Sequence, residues 1–301
     1  MDRIVEDYRS LREDGGAIDL AGWGVLRLQG PDARDFLQGT ATQDLGRVEA
    51  PLAATTFFLT EKGRPVALAW VRPDSGEAAA HVIVDEGGRA ALRAHFERFR
   101  IMEDVEFEGP EGTWRVIGVA GPRRAARLAS LLADIPGSIE ARAEPLSFLL
   151  APLETAAERL PRFALPEAAE AWRLAVGLPR GGTDFGTDRL ATELSLPEAL
   201  SPGKGCYVGQ EVVARTSNRG QVRRHRVGFR FPWPGEALPP GAELRAGGSI
   251  VGYVTSSAFE PGTGDGLGMG YLSTEALAGP AEVHAVHGSE TIRLSVAGWP
   301  L

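Results

Sequence analysis

Cysteine is almost absent from this chain. Cys206 is the only one in 301 residues. No disulfide can close within the chain, and a reducing cytoplasm is the compartment that fits. Histidine is scarce too: there are five. His284 and His287 stand three apart on a predicted strand, so they face opposite sides. The four or so convergent ligands of a zinc site are not visible. There is no P-loop, no G-x-S-x-G and no G-x-G-x-x-G register. The glycine-rich stretch GTGDGLGMG, 262–270, falls between strands and is expected to be a turn. Long apolar runs are missing: none approaches the roughly 18 residues of a membrane span. The start, MDRIVEDYRSLREDGG, lacks the apolar core of a signal peptide. It predicts an amphipathic helix ended by Gly15 and Gly16. An excess of positive charge is missing as well. The net charge of −8 argues against bulk binding to nucleic acid or to an anionic membrane.

What remains is an ordinary globular composition, 43% apolar and 24% charged. The length allows one large domain or two unequal ones. AIDLAGWGVLRLQG predicts two short strands, and GPDARDFLQG a helix opened by Pro31 in its first turn. WRVIGVAGPRRAARLASLLA repeats the strand, Gly-Pro, helix order and suggests a distant internal duplication. Between them, TTFFLTEKGRPVALAWV predicts a hairpin turning at Lys62-Gly63, and AAAHVIVD another strand. GGRAALRAHFERFRI predicts a helix with Ala91, Leu92, His95, Phe96 and Phe99 on one face. Hairpins alternating with helices indicate an α+β fold, not a doubly wound parallel sheet.

The pattern changes near residue 220. QVRRHRVGFRFPW alternates Val227, Phe229 and Phe231 against Arg230. Hairpins follow around Gly247-Gly248 and Gly288-Ser289. Regular short strands without helices predict a small antiparallel barrel or sandwich. The expected domains are therefore 1–220 and 221–301.

The candidate chemistry centres on PGKGCYVGQEVVAR, 202–215. A free thiol with a pKa near 8.5 is only a few percent thiolate at neutral pH. A neighbouring ammonium and a helix N-terminus both favour the anion. Lys204 offers the first. GQEVVARTSNRG offers the second: it predicts a short helix starting near Gly209, with Glu211 in its first turn and 218–220 at its end. Gly203, Gly205 and Gly209 let the backbone bend closely around a ligand or a neighbouring segment. Cysteine is also among the residue types most often buried, so a packed Cys206 is the competing reading. Arg219, Arg223, Arg224 and Arg226 crowd the domain boundary. They suit either a polyanionic tail or acidic partner, or a solvated face paired with some of the acids.

Lys204-Gly205-Cys206-Tyr207-Val208-Gly209-Gln210-Glu211 resembles the K-G-C-[FY]-x-G-Q-E signature of YgfZ-type proteins. These are the folate-binding, iron–sulfur-maintenance branch of the glycine-cleavage T-protein superfamily. VVAR through Arg215 and RGQVRRHRVG continue the resemblance. GPDARDFLQGTATQDL, with Thr42 and Asp44 at T-x-D positions, is similar to the superfamily's N-terminal segment. AWRLAVGLPRGGTDFG resembles the stretch before the signature. The resemblance implies ferredoxin-like units around a central folate-sized opening, with a C-terminal β-barrel packed against them. It implies an accessory protein for iron–sulfur cluster assembly or repair, with tetrahydrofolate as the implied cofactor. Its partners would be iron–sulfur client enzymes or assembly proteins, and it would be a monomer. In this reading Cys206 is the functional thiol and Lys204 favours its thiolate. Tyr207, Gly209, Gln210 and Glu211 shape the pocket wall. Arg173 belongs to the same site, and Arg215 with Arg223 or Arg224 holds an acidic tail or partner.

Two positions depart from the aminomethyltransferases of the superfamily. Their catalytic aspartate follows a Gly-Gly turn, and the matching stretch here, around Ala67, has no carboxylate. This counts against the alternative, a folate-dependent aminomethyltransferase or demethylase-like enzyme. Their R-L-E-A-G glutamate contacts the pterin ring, whereas this chain reads Arg173-Leu174-Ala175-Val176-Gly177. Losing that charge-assisted contact would weaken folate by about ten- to a hundredfold. Asp184 and Asp188 are the nearby carboxylates available to replace it.

Overall fold

A computed structural model describes residues 2–76, 78–108, 113–218, 222–280, 282–288 and 290–301. The elements run α1 (Asp2–Glu13), β1 (Gly16–Asp19), β2 (Gly24–Gln29), α2 (Ala33–Thr40), β3 (Ala54–Leu59), β4 (Pro65–Pro73), β5 (Ala79–Val84) and α3 (Gly88–Phe99). Then come β6 (Glu106–Glu108), β7 (Trp114–Ala120), α4 (Arg124–Asp134), β8 (Ile139–Ala141), β9 (Leu146–Pro152), α5 (Leu153–Arg159), α6 (Pro166–Val176) and α7 (Gln210–Asn218). The chain finishes with β10 (Arg224–Pro232), β11 (Glu243–Ala246), β12 (Ser249–Phe259), β13 (Asp265–Ser273), α8 (Thr274–Ala278), β14 (Val283–His287) and β15 (Glu290–Ala297).

The N-terminal strands form two antiparallel sheets, ordered β3-β4-β5-β2-β6 and β1-β7-β9-β8. The two strand–helix units suggested by the sequence, β2–α2 and β7–α4, belong to one sheet each. Each sheet uses its period of two to serve two cores. On β4, Ala67, Ala69 and Val71 pack under α2 and α3 with Leu37, Leu92 and Phe96. Leu68 and Trp70 point the other way. On β7 and β9, Ile117, Val119 and Leu149 meet Leu128 and Leu131 of α4, while Val116, Phe148 and Leu150 point inward. The two inward faces share one central core with α1, α6 and Leu267 and Met269 of β13. Burying an aromatic side chain of this kind contributes about 2–3 kcal/mol. Trp70 is the largest fully buried side chain; its ring lies 5.2 Å from Trp23 and 5.0 Å from Phe148.

β10 to β15 close into a six-stranded antiparallel barrel, ordered β10-β13-β12-β11-β14-β15. Val227, Phe229 and Phe231 line its interior, and Arg230 faces outward to Glu260. The GTGDGLGMG stretch corrects the expectation of a turn, because from Asp265 onward it is strand β13. Its glycines are there for close approach. A Cβ on Gly268 would lie 2.0 Å from the Phe229 ring, and one on Gly266 2.3 Å from the Phe231 ring. Two smaller corrections concern helices. Asp32, not Pro31, is the residue at the N-cap of α2. Ala91 is exposed, while Leu92, His95 and Phe96 form the buried face of α3. Arg219, Gly220 and Ser289, singled out in the sequence, lie outside the described residues.

Candidate functional site

The signature loop crosses the C-terminal end of α2, where a helix leaves its last carbonyls without partners. Lys204 fills that gap. Its Nζ donates to the carbonyls of Gln38 at 2.7 Å, Ala41 at 2.6 Å and Gln43 at 3.0 Å. A cation at a helix C-terminus is also favoured by the helix dipole. The residue is 8% exposed, and burial pulls its ammonium down to about 8, with Asp44 opposing that fall. The Lys204 assignment is therefore corrected. Its charge is bound to three carbonyls and holds the loop on α2; it is not a free ammonium serving the thiol.

Neighbouring bonds tighten the same seam. Val208 N–H donates to Gly39, and Ser201 N–H donates to Thr42. The Thr42 hydroxyl donates to Ala199 at 2.6 Å and accepts from Phe57 N–H at 2.9 Å. Gly209 has a φ of +83°, and a Cβ there would lie 2.6 Å from the Thr60 carbonyl oxygen. Only glycine meets both conditions. Tyr207 is half-buried, with its ring 5.3 Å from Lys204 Nζ and packed against the central core. Between these anchors Cys206 is exposed. That settles the competing reading, since the thiol is not packed in a core. Lys204→Met is expected to lower unfolding free energy by about 2–4 kcal/mol, because buried carbonyls lose a charged donor. A urea titration checks it, and a change below about 1 kcal/mol would refute the anchoring role.

The other predicted site residues separate into two groups. Gln210 and Glu211 start α7, where Glu211 is exposed. Arg215, Arg223 and Arg224 are exposed and form no ion pair among the described residues; Arg224 lies 5.9 Å over the Tyr253 ring. Arg173 is corrected from ligand-binding to structural. It donates to Glu170 at 2.9 and 2.7 Å, to Asp184 at 2.6 Å and to the Leu178 carbonyl at 2.7 Å. Arg226 belongs with neither group, being buried between the barrel and α6.

A small cleft of about 260 Å³ lies at the centre, lined by Trp23, Glu86, Trp172, Arg173 and Arg180 among others. Asp85, which sequence reasoning missed, sits beside it at the end of β5 and accepts Gly181 N–H at 2.6 Å. Burial pushes its carboxyl up to about 6, against the Gly181 hydrogen bond and Arg180. An acid raised in the fold binds more protons folded than unfolded. Its cost therefore appears as pH rises through about 4 to 6 and is absent below. Asp85→Asn is expected to gain about 2–3 kcal/mol at pH 7 and nothing below pH 4, as read by denaturant unfolding across that range. An equal effect at both pH values would refute the assignment.

Two families of domain match this chain. Residues 1–148 match the GCVT N-terminal domain, and residues 224–301 the glycine cleavage T-protein C-terminal barrel domain. The chain is built from the two domains of the glycine cleavage T-protein family. The iron–sulfur cluster assembly factor IBA57, mitochondrial, of Homo sapiens is 29% identical, over 93% of this chain and 84% of that protein. The aminomethyltransferase of Rubrobacter xylanophilus is 26% identical, over 92% and 81%. The crystal structure of glycine cleavage system aminomethyltransferase T from Bartonella henselae has the same fold, with a TM-score of 0.81 at 20% identity over 99% of this chain and 89% of that one.

Within this family fold, the residues present do not fit folate. Ala175, which the resemblance aligns with the pterin-contacting glutamate of the aminomethyltransferases, is fully buried in the central core and carries no carboxylate. Asp184 does not replace it, since it is saturated by Arg173, Thr255, Ser256 and Arg180 N–H. Asp188 is solvent-exposed beside Arg189. Trp23, Trp70 and Phe148 pack into the centre. The cleft left beside them is below the roughly 300–1,000 Å³ of pockets for drug-sized ligands. The missing catalytic carboxylate also receives a structural reason. Ala67 faces the helices; the centre-facing residues of β4 are Leu68 and Trp70, and β4 holds no acid at all.

Proposed function

We propose that this protein is an accessory factor for iron–sulfur cluster assembly or repair that offers Cys206 as a single thiolate to a cluster held by a partner. The observation carrying this reading is the contrast within one loop: Lys204, Tyr207 and Val208 are anchored, and the thiol between them is exposed. An anchored loop keeps the ordering cost of capture low. One cysteine does not hold a cluster, which usually takes four thiolates, so the partner supplies the remaining ligands and the cluster is cargo. No group of three or more His, Cys, Asp or Glu suited to a metal is present among the described residues. The unpaired Arg215, Arg223 and Arg224 suit an acidic face on an assembly protein or client enzyme. The assembly-factor relatives support the role, and the lone free thiol suits a reducing compartment such as the cytoplasm.

The aminomethyltransferase or demethylase alternative has aminomethyltransferases among its relatives, but β4 supplies no group to handle protons, which counts against it. Nor does the proposal involve folate. Anaerobic calorimetry with reduced folate is expected to give no binding up to millimolar concentration; micromolar binding would reverse that statement. The role itself is tested in a strain deleted for this protein. Cluster-dependent enzymes are expected to lose activity with normal polypeptide levels and to regain it with the intact chain. Unchanged activity in the deletion would sink the proposal.

A further inference from the structure

A groove of about 870 Å³ separates the barrel from the C-terminal end of α6. It is well within the size of small-molecule sites. Leu178 and Leu196 form one wall, Val227, Leu272 and Leu294 the other, and Trp299 lies alongside. Arg226 enters this apolar space from β10. Only 3% of it is exposed. Its Nε donates to the Leu194 carbonyl at 2.6 Å and its Nη1 to the Gly177 carbonyl at 2.7 Å. The guanidinium stacks 4.1 Å over the Trp299 ring.

Those contacts use two of its three nitrogens. Nη2 has no hydrogen-bond partner, and no carboxylate stands within ion-pair distance, among the described residues. The other deeply buried guanidinium, that of Arg173, is paired with both Glu170 and Asp184. Burial lowers Arg226 to about 10, opposed by Tyr271, Asp184 and Glu198 and reinforced by Arg173. A buried charge without a counter-ion is costly, and a bound anion would remove that cost. Ser195, on the groove lip, is the non-glycine residue with a positive φ (+51°) among those described. Such strain collects at ligand sites.

We propose that this groove binds an organic monocarboxylate with an apolar body, its carboxylate on Arg226 and its body between the barrel and α6. The mouth sets the charge. Glu198 and Glu282 lie in the lining and are both exposed; Glu282 is paired with Arg293 at 2.5 Å, so it is chiefly Glu198 that repels a second negative charge on the ligand. Phosphate and dicarboxylates are therefore poor ligands. This site is independent of Cys206 and of the cluster reading.

The test uses the full chain and calorimetry with octanoate, 1-octanol, glutarate and inorganic phosphate. Octanoate is expected to bind in the range of about 10–300 µM, and the other three at least tenfold more weakly. Arg226→Gln is expected to remove the preference for octanoate over octanol. Arg226 also bridges the two parts of the molecule, so Ala297→Trp serves as a second variant. It fills the groove from an exposed lining position and is expected to abolish octanoate binding with unchanged melting temperature. No octanoate binding at 10 mM, equal binding of octanol, or binding that survives Ala297→Trp would each overturn the proposal.

Discussion

Asp184→Ala is expected to cost about 3–5 kcal/mol of unfolding free energy, the largest effect of any single change considered for this protein. The Asp184 side chain has no solvent exposure and accepts four hydrogen bonds. Two come from the N-terminal part, Arg173 Nη1 at 2.6 Å and Arg180 N–H at 2.9 Å. Two come from the barrel, Thr255 and Ser256 Oγ, each at 2.6 Å. Its backbone carbonyl also accepts from Tyr271 at 2.9 Å. Removing the carboxylate leaves Arg173 short of a counter-ion and the Ser256 hydroxyl without an acceptor, while Thr255 keeps only the Met269 carbonyl at 3.2 Å. Because these bonds join the two parts, the variant is also expected to unfold in two steps, the barrel separating first. Burial opposes ionisation of Asp184, but Arg173 and the hydroxyls overcome it and hold the carboxyl below its ordinary value. For a depressed acid, stability is present above the unfolded pKa and lost as pH falls through the folded one. The wild-type advantage over Asp184→Asn is therefore expected to shrink only below about pH 4. Urea unfolding followed by tryptophan fluorescence measures both; a loss under about 1 kcal/mol would mean that the two parts are held elsewhere.

Cys206→Ser is expected to have the opposite profile: little change in stability and a loss of function of at least tenfold. The thiol is exposed, so an isosteric hydroxyl removes almost no packing, and surface changes of this kind stay within about 0.5 kcal/mol. A hydroxyl is a poor ligand for a soft cluster iron, whereas a thiolate is a good one. Complementation of a deletion strain, read as activity of cluster-dependent enzymes, gives the functional half of the comparison; thermal melting gives the other. Full complementation by Cys206→Ser would exclude a thiol role. Paired with Lys204→Met, the result separates two tasks within three residues. Lys204 variants fail by loosening the loop, and Cys206 variants fail with the loop intact.

Much of the fold was legible because it rests on local signals. The alternation of Val227, Phe229 and Phe231 against Arg230 matches the barrel's inside and outside. Lys62-Gly63 turns between β3 and β4, and Gly247-Gly248 between β11 and β12. Local signals failed where a residue serves a distant partner. The β13 glycines look like a turn until Phe229 and Phe231 are placed against them. The candidate site divides in the same way. The signature singled out Cys206 and Lys204 together, yet only the fold shows that Lys204 reaches carbonyls more than 160 positions away. Arg173 looked like a ligand residue because it stands in the stretch that resembles R-L-E-A-G; only the fold shows its partner Asp184, fixed in place by the barrel hydroxyls of Thr255 and Ser256. Asp85 gave no signal at all, since an acid at a strand end is usually solvated.

The α+β character, the antiparallel barrel, the lone cysteine and the lack of an acid on β4 can all be read from the order of residues. Each depends on composition or on the period of a single element. The tertiary structure alone decided that Cys206 is exposed, that Lys204 and Arg173 are structural, that aromatic rings occupy the centre and that Arg226 is buried without a counter-ion. Burial and charge compensation belong to contacts between segments far apart in the chain, and no local pattern encodes them.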